Sequence, residues 1–501
     1  MNYLLASDEI CLYWEKPEIE EKGKAIYQIF VNGKETGSTE KTHYTLRKLQ
    51  AETEYDIEIR MEIEGGEKSR SFWKGTLQTS KQKKIIDVTR KPYCAVGDGK
   101  TMNTKALQQA FDDCGADEMV YLPEGVFLTG ALRMHSDMEL YLAENAVLQG
   151  TDVVEDYLPR IKSRFEGLEM ECYSSLLNLG ELDHASGYNC ENVVIRGKGT
   201  IASGGRALAE RVISSERERL KDYLTSLGDK IKEYEKPETI PGRVRPRLIN
   251  MSNARNVRLS GVTLKNGACW NVHMIYSDSI VTNDCVFHSE GVWNGDGWDP
   301  DSSTNCTIFN CTFYTGDDSI AIKSGKNPEG NVINRPTEHI RIFDCRSVYG
   351  HGIAMGSEMS GGIRDVVIWD CDLSGSMYGV EIKGTKKRGG FVRDVHVRDC
   401  VMPRILFHSV GYNDDGIGAP IPPVFEQCSF RNIKLLGRYQ DRDDRSWKPC
   451  EAVELKGFDV PGHYLKDILF ENIHIEGDEN GNYQISMKYC DNIRFEKISC
   501  V

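Results

Sequence analysis

Two neighbouring acids, Asp317 and Asp318, follow Gly316 and precede the alternating stretch 319–323, which ends in Lys323. In a regular strand, two successive side chains point to opposite faces of the sheet. Gly316 permits a bend or bulge that would turn both carboxylates to the same side. Crowded carboxylates raise one another's pKa, so that one group stays protonated while another stays ionised. An acid and a base drawn from one residue type are what glycoside hydrolysis requires.

Polar residues are concentrated in three further segments, 293–303, 350–362 and 379–390. In chain order they contribute Asp296 and Asp299, then His351, then Glu381, Lys383 and Arg388. Any one of these segments alone is more typical of a turn than of a catalytic site, because Asp and Gly are ordinary turn residues. Their significance lies in their spacing, since each segment follows the previous one by about one structural repeat of 23 to 33 residues.

The repeat consists of short β-branched segments, for example 192–201, 256–264, 339–347 and 365–375. Each shows apolar alternation that Asn, Asp or Gly interrupts, as in strands that end at tight turns. This pattern predicts an all-β fold, a right-handed parallel β-helix, in which each coil buries its inward face only by stacking on the next. Adjacent coils lie about 4.8 Å apart, so we expect the polar segments to form one column in a substrate groove.

The first part of the chain differs from these repeats. Residues 1–80 predict a small β-sandwich, with Trp14 in an alternating strand and a hairpin turn at Asn32-Gly33. The early Trp and the corner at 49–55 resemble a fibronectin type III domain. Residues 81–501 are assigned to the β-helix. The charged segment near 206–236 predicts a helical insertion that shapes one end of the groove or forms an oligomer contact.

Composition excludes several functional classes. The net charge of −14 among 501 residues argues against nucleic acid or an anionic membrane as the main partner. The sequence has no apolar run long enough to cross a membrane, and its start lacks a signal-peptide pattern, which predicts a cytoplasmic protein.

Cysteine usage points the same way. The 16 Cys include no paired CxxC motifs, which predicts free thiols and no structural zinc. Six of them fall at matching places in successive repeats and predict a stack of buried thiols, namely Cys285, Cys311, Cys345, Cys371, Cys400 and Cys428.

Some alternatives remain open at this point. The segment 296–301 could be a loose calcium loop, but it lacks the EF-hand spacing, and we expect no metal. Trp298 lies between two acids and either stacks on a sugar ring or packs in the core. Tyr412, one coil beyond Lys383, is expected to reach the groove, and Asp299 and Lys323 are expected to contact substrate.

The segments 294–299, 316–325 and 350–362, followed by that of Lys383, resemble in this order the polygalacturonase family, glycoside hydrolase family 28. Residues 86–114 are similar to its opening turn and cap helix. The resemblance covers residues 85 to about 500, and with the leading β-sandwich it is closest to the bacterial exo-acting branch.

This resemblance implies an inverting hydrolase without a cofactor, whose partner is a pectic oligosaccharide or related glycoside. Asp317 would be the general acid, and Asp296 and Asp318 would activate the attacking water. His351 would support the acid, and Lys383 would contact a carboxylate of the substrate.

One residue departs from the family pattern. Glu381 stands where the family usually has Arg, and an anion there would repel a uronate unless Lys386, Lys387 or Arg388 compensates. The alternative is the same machinery acting on another terminal sugar, such as a rhamnosyl, xylosyl or apiosyl residue. A non-catalytic carbohydrate-binding β-helix and a calcium-dependent lyase are further alternatives.

Overall fold

The computed structural model describes residues 1–18, 23–64, 69–229, 244–410, 417–477 and 484–500. The chain divides into two units, Met1–Ile85 and Ile86–Val501.

The first unit is a pair of antiparallel sheets around a small apolar core that includes Trp14 and Tyr27. One sheet contains Asn2–Leu5, Glu9–Tyr13 and His43–Arg47, and the other contains Ala25–Val31, Lys34–Thr39, Glu54–Ile63 and Arg70–Gln78. The hairpin turn is where the sequence predicts it: Asn32 and Gly33 both have positive φ, as a tight two-residue turn requires. Tyr55 Oη accepts a hydrogen bond from the Gln50 amide at 2.9 Å, which closes the expected corner. The sandwich is confirmed, and the fibronectin type III assignment stays a prediction.

The second unit coils through three parallel sheets. The long sheet contains Lys84–Asp87, Glu118–Leu122, Glu139–Leu142, Cys190–Gly197, Ala254–Ser260, Asp278–Asn283, Thr307–Phe309, Thr337–Phe343, Ile363–Trp369, Phe391–Met402, Val424–Leu435, Leu465–Ile475 and Cys490–Cys500. The short sheet contains Asp98–Met102, Gly125–Thr129, Ala146–Gly150, Thr200–Ala202, Thr263–Lys265, Val286–His288, Thr312–Tyr314 and Arg346–Tyr349. The third, here called the site sheet, contains Leu132–Met134, Leu177–Leu179, Ile249–Ser252, Val272–Ile275, Trp298–Asp301, Ile320–Ile322, Gly352–Met355, Gly379–Gly384, Ile405–Ser409, Val453–Lys456 and Ile485–Lys488. The predicted right-handed parallel β-helix is confirmed.

Shorter elements decorate the coil. Two antiparallel hairpins pair Ile161–Phe165 with Leu168–Cys172 and Arg438–Gln440 with Trp447–Pro449. The helices are Thr104–Asp112, Gly205–Arg219, Lys221–Ser226 and Glu329–Ile333, with a 3₁₀ turn at Val154–Tyr157. The predicted insertion is helical over its first part, and its residues 230–236 lie outside the described chain. None of the described helices is long and apolar enough to span a membrane.

The corner between the long and short sheets explains the repeated Asn/Asp-Cys pairs of the sequence. Asp344 and Asp370 have positive φ there, a conformation that Asn and Asp tolerate well, and the next residue is a buried Cys. The predicted stack of buried thiols extends as far as Cys400. The register partner of Cys400 on the next coil is Ile433, not a cysteine. Cys428 instead pairs with Val395 at an earlier position of its coil, so its predicted place in the stack was wrong.

Aromatic rings stack from coil to coil in the long sheet. The ring of Phe343 lies 4.8 Å from that of Phe309 and 4.4 Å from that of Trp369, nearly parallel to both. All three side chains are buried, so each ring fills the space between two coils.

We expect Phe343→Ala to lower the free energy of unfolding by about 3–5 kcal/mol, because it opens a cavity between two stacked rings. The measurement is the urea midpoint. Arg346→Ala, in the same coil but with a side chain that is 65 % exposed, is the control and should have nearly the parental midpoint. Equal midpoints for both variants would contradict this account of the stack.

Candidate active site

The predicted column of polar residues exists on the outer face of the site sheet. Trp298, Ile320 and Ile353 are register partners on three successive strands of the site sheet. The residue two positions before each of them is Asp296, Asp318 and His351, respectively, so these three residues occupy equivalent positions of neighbouring coils. Asp317 directly precedes Asp318. Lys383 differs from the prediction, because it lies further along its own strand than this column, although its Nζ still reaches Asp318 Oδ2 at 3.4 Å.

The two adjacent acids converge on one histidine. His351 Nδ1 lies 2.8 Å from Asp317 Oδ1 and 3.3 Å from Asp318 Oδ1. Both carboxylates therefore face the same side, because they precede the strand Ile320–Ile322 and are not yet subject to its alternation. Asp317 is the more accessible of the two, with a side chain 26 % exposed against 7 % for Asp318.

The pKa of Asp317 depends on its histidine. Burial alone would raise the pKa of Asp317, but the charge of a protonated His351 and its hydrogen bond outweigh burial and hold that pKa below its usual range. Burial likewise lowers the pKa of His351, whereas the charge of Asp317 outweighs this effect and raises it to about 9. A charged His351 thus favours an ionised Asp317, which is the wrong state for a proton donor.

A second pair of acids shares one lysine. Lys323 Nζ lies 3.1 Å from both Asp296 Oδ2 and Asp299 Oδ2, and 3.7 Å from the centre of the Trp270 ring. Burial raises the pKa of Asp299 to about 7 against the opposing charge of Lys323, and burial also raises the pKa of Asp296. The two carboxylates titrate as a unit, so a proton on one leaves the other ionised.

Several predicted substrate contacts are buried instead. Asp299 and Lys323 are 0 % and 4 % exposed and reach Asp296, so they act through that residue. Trp298 is fully buried, and its Nε1 donates to Thr282 Oγ1, which corrects the prediction of sugar stacking and places it in the core.

The remaining two predicted substrate contacts are Arg388 and Tyr412. Arg388 is also buried, which corrects its expected role as a groove cation, since its Nε donates to the Ser357 carbonyl and its Nη1 to Asn327 Oδ1. Tyr412 lies outside the described residues.

Glu381 is neutralised by two neighbours that the sequence does not link to it. Its carboxylate lies 2.8 Å from Lys383 Nζ and 2.5 Å from Nε2 of His408, which is in register with Lys383 on the next coil. Burial opposes ionisation of Glu381, yet the charge of Lys383 and the contact with His408 lower its pKa to about 2. Sequence reasoning missed His408, although it lies 25 residues after Lys383, a spacing of one coil that would have indicated a neighbour.

Arg442 is the second residue that the sequence did not reveal. It lies in the turn of the hairpin Arg438–Pro449, and its Nη1 is 2.6 Å from His351 Nε2 while Nη2 donates to the Gly316 carbonyl. The turn is rich in charged residues and has no repeat spacing, so nothing in the pattern assigns one of them to the site.

The other hairpin is attached to the site sheet by buried charges. Arg164 Nη1 lies 2.6 Å from Asp301 Oδ1, and both side chains are almost fully buried. Burial raises the pKa of Asp301, but Arg164 outweighs it and holds that pKa far below its usual range. Phe165 stacks on Trp270 at 5.1 Å, which links this hairpin to the ring beneath Lys323.

One group of side chains has the composition of a metal site. The ligand atoms of Asp317, Asp318 and His351 lie within 4.8 Å of one another. The 2.8 Å approach of His351 Nδ1 to Asp317 is a hydrogen-bond distance, so a shared proton accounts for the grouping.

We expect Arg164→Met to lower the free energy of unfolding by about 3–5 kcal/mol, because it leaves the buried Asp301 carboxylate without its main partner. Urea unfolding measures this loss. Arg255→Met removes an arginine whose pair with Glu191 is 47 % and 32 % exposed, and it should cost less than about 1 kcal/mol. If Arg164→Met is no less stable than this control, the buried pair does not hold the hairpin.

Comparison with known proteins shows what this chain is similar to. Residues 178–411 match the model of glycosyl hydrolases family 28. The exo-poly-alpha-D-galacturonosidase of Dickeya chrysanthemi is 26 % identical over 86 % of this chain and 73 % of its own length. A probable polygalacturonase of Vitis vinifera is 34 % identical, over 62 % of this chain and 59 % of its own.

Solved structures agree on the fold. The family 28 exopolygalacturonase of Yersinia enterocolitica superposes with a TM-score of 0.80 at 22 % identity, covering 99 % of this chain and 96 % of its own. A hyperthermoactive exopolygalacturonase of Thermotoga maritima gives 0.68 at 26 % identity, covering 83 % and 91 %. The matched region contains every acid of the column, and these similarities to glycosyl hydrolases family 28 indicate a glycoside hydrolase.

Proposed function

We propose that the protein removes a terminal galacturonyl residue from pectic oligosaccharides by hydrolysis with inversion. The observation that carries this proposal is the column of Asp296, Asp318 and His351, with a partly exposed Asp317 hydrogen-bonded to the histidine. The relatives named as galacturonosidases and exopolygalacturonases support the substrate class.

The chemistry divides among three acids. Asp317 gives its proton to the glycosidic oxygen while the bond from that oxygen to the anomeric carbon breaks. A water attacks the opposite face of the sugar, and its proton passes to Asp296 or Asp318. Lys323 favours the ionised form of both Asp296 and Asp299, and one proton shared by this pair relieves the repulsion between them.

A uronate carboxylate would meet Lys383 and His408. Glu381 lies between them, so it is not a free anion that would repel the substrate. The side chains of Lys383 and His408 are 13 % and 23 % exposed, whereas that of Glu381 is 5 % exposed. The more accessible groups are therefore the lysine and the histidine rather than the carboxylate, which favours a galacturonide over a neutral sugar.

Exo action is supported by the hairpin Ile161–Cys172. Its turn accepts a hydrogen bond at the Gly167 carbonyl from the Lys326 amide at 2.9 Å, just beyond the strand that follows Asp318. The hairpin is thus attached at the carboxyl ends of the site-sheet strands, where it would limit the groove on one side and favour a chain end over a long polymer.

Mass spectrometry of products from trigalacturonate in ¹⁸O-water tests the proposal. We expect labelled monogalacturonate and saturated digalacturonate, with loss of at least about 100-fold in rate for Asp317→Asn, since it removes the proton donor. Asp394→Asn, whose side chain is 54 % exposed on the long sheet, is the matched control and should have the parental rate.

Other products would contradict the proposal. An unsaturated product that requires calcium would indicate a lyase, and an Asp317→Asn variant as active as the parent would remove the assigned acid. Oligosaccharide binding without any turnover would indicate a carbohydrate-binding β-helix.

A second candidate is hydrolysis of a different terminal sugar, such as a rhamnosyl, xylosyl or apiosyl residue. It is motivated by Glu381, whose carboxylate can accept hydrogen bonds from sugar hydroxyls. For a galacturonide, Lys383→Met should lower kcat/KM about 10- to 100-fold, mainly through KM, because it removes a charged hydrogen bond. Parental kcat/KM in this variant, together with turnover of a neutral glycoside, would favour the second candidate.

A further inference from the structure

Arg442 contacts the histidine of the site from a hairpin that begins more than 80 positions later in the sequence. Its Nη1 lies 2.6 Å from His351 Nε2, and its Nη2 donates to the carbonyl of Gly316, the residue before the two acids. The backbone of Arg442 is held by Tyr349 Oη, which donates to the Arg442 carbonyl at 3.3 Å.

The contact fixes the tautomer of the imidazole. A guanidinium has only donors, so Nε2 of His351 must accept and cannot carry a proton while Arg442 is in place. The single ring proton then lies on Nδ1, which faces Asp317 Oδ1 at 2.8 Å. In this arrangement His351 is neutral and donates to Asp317.

Charge on His351 decides where the catalytic proton resides. Its charged neighbours are the carboxylates of the preceding coil and the guanidinium of the hairpin, and Tyr378 of the following coil lies against its ring at 4.9 Å. The carboxylates favour an imidazolium, which burial opposes. Without the hydrogen bond from Arg442, Nε2 could take a second proton, and an imidazolium would favour an ionised Asp317. The charge of Arg442 by itself lowers the pKa of Asp317, so the effect inferred here is exerted through the hydrogen bond to Nε2.

We propose that Arg442 is a positioning residue of the reaction, which holds His351 neutral and thereby keeps on Asp317 the proton that passes to the glycosidic oxygen. This inference rests on the proposed function, because it assigns Asp317 as the acid. The step is balanced: the Asp317 O–H bond breaks, the proton joins the departing oxygen, and Asp317 becomes a carboxylate that accepts from His351 Nδ1.

The test compares two arginines of one turn. Arg442→Met should lower kcat at least about 10-fold with little change in KM, because the acid loses its proton to His351 and no substrate contact is removed. The alkaline limb of the kcat profile should move to higher pH, since the proton is then lost from an imidazolium between carboxylates. Added guanidinium should restore part of kcat.

Arg445→Met is the matched control, because it removes the contacts of Arg445 with Tyr349 and with Glu290 at 2.9 Å, not with His351. It should keep the parental kcat and pH profile. The same losses in both variants, or none in Arg442→Met, would overturn the proposal and make the turn a structural anchor.

A readout without substrate separates this inference from the proposed function. In ¹⁵N-histidine-labelled parent protein at pH 7, with the signals assigned through His351→Gln, Nε2 of His351 should show the shift of an unprotonated nitrogen. Arg442→Met should show two protonated nitrogens. An imidazolium in the parent would overturn the inference even if the enzyme hydrolyses galacturonides, and a neutral imidazole would uphold it even if the substrate proves different.

Discussion

The spacing of about 4.8 Å between coils is the constraint on which the site depends. Side chains at one position of successive coils are forced together, whether or not they attract each other. In the core this stacks aromatic rings such as Phe343 on Trp369. On the outer face of the site sheet it crowds acids that repel, and each must be offset by a cation or hold a proton. The chemistry therefore follows from the same geometry that stabilises the fold.

The cations that offset the acids come from different parts of the chain. Lys323 lies on the site sheet itself, between Asp296 and Asp299. Arg164 and Arg442 come from the two antiparallel hairpins that leave the coil. A regular β-helix alone would place the acids in a column without the charges that tune them. Insertions between coils supply those charges, so segments that look like decoration set the protonation of the site.

The repeats made the fold, the acid column and His351 predictable, because residues that are one coil apart in the sequence lie next to each other in a β-helix. The same rule failed where a coil changes length: Cys428 lies at a different corner from Cys400. Trp298 was ambiguous, since alternation alone does not say which face of a short strand is the core. Nothing in the sequence indicated Arg442, because its contact with His351 joins a turn to a coil that is distant in the sequence. His408 was missed because its short strand, Ile405–Ser409, has no Asp, Glu, Lys or Arg that would mark it as part of the site.

The central claim is that the crowded site keeps one proton on Asp317 and none on His351 Nε2. Neutron diffraction from deuterium-exchanged crystals of the protein at the pH of maximal activity tests it most directly. The account predicts deuterium on Asp317 and on His351 Nδ1, with Arg442 donating to a bare Nε2. Deuterium on both ring nitrogens beside an ionised Asp317 would contradict it, because the assigned acid would then have no proton to give.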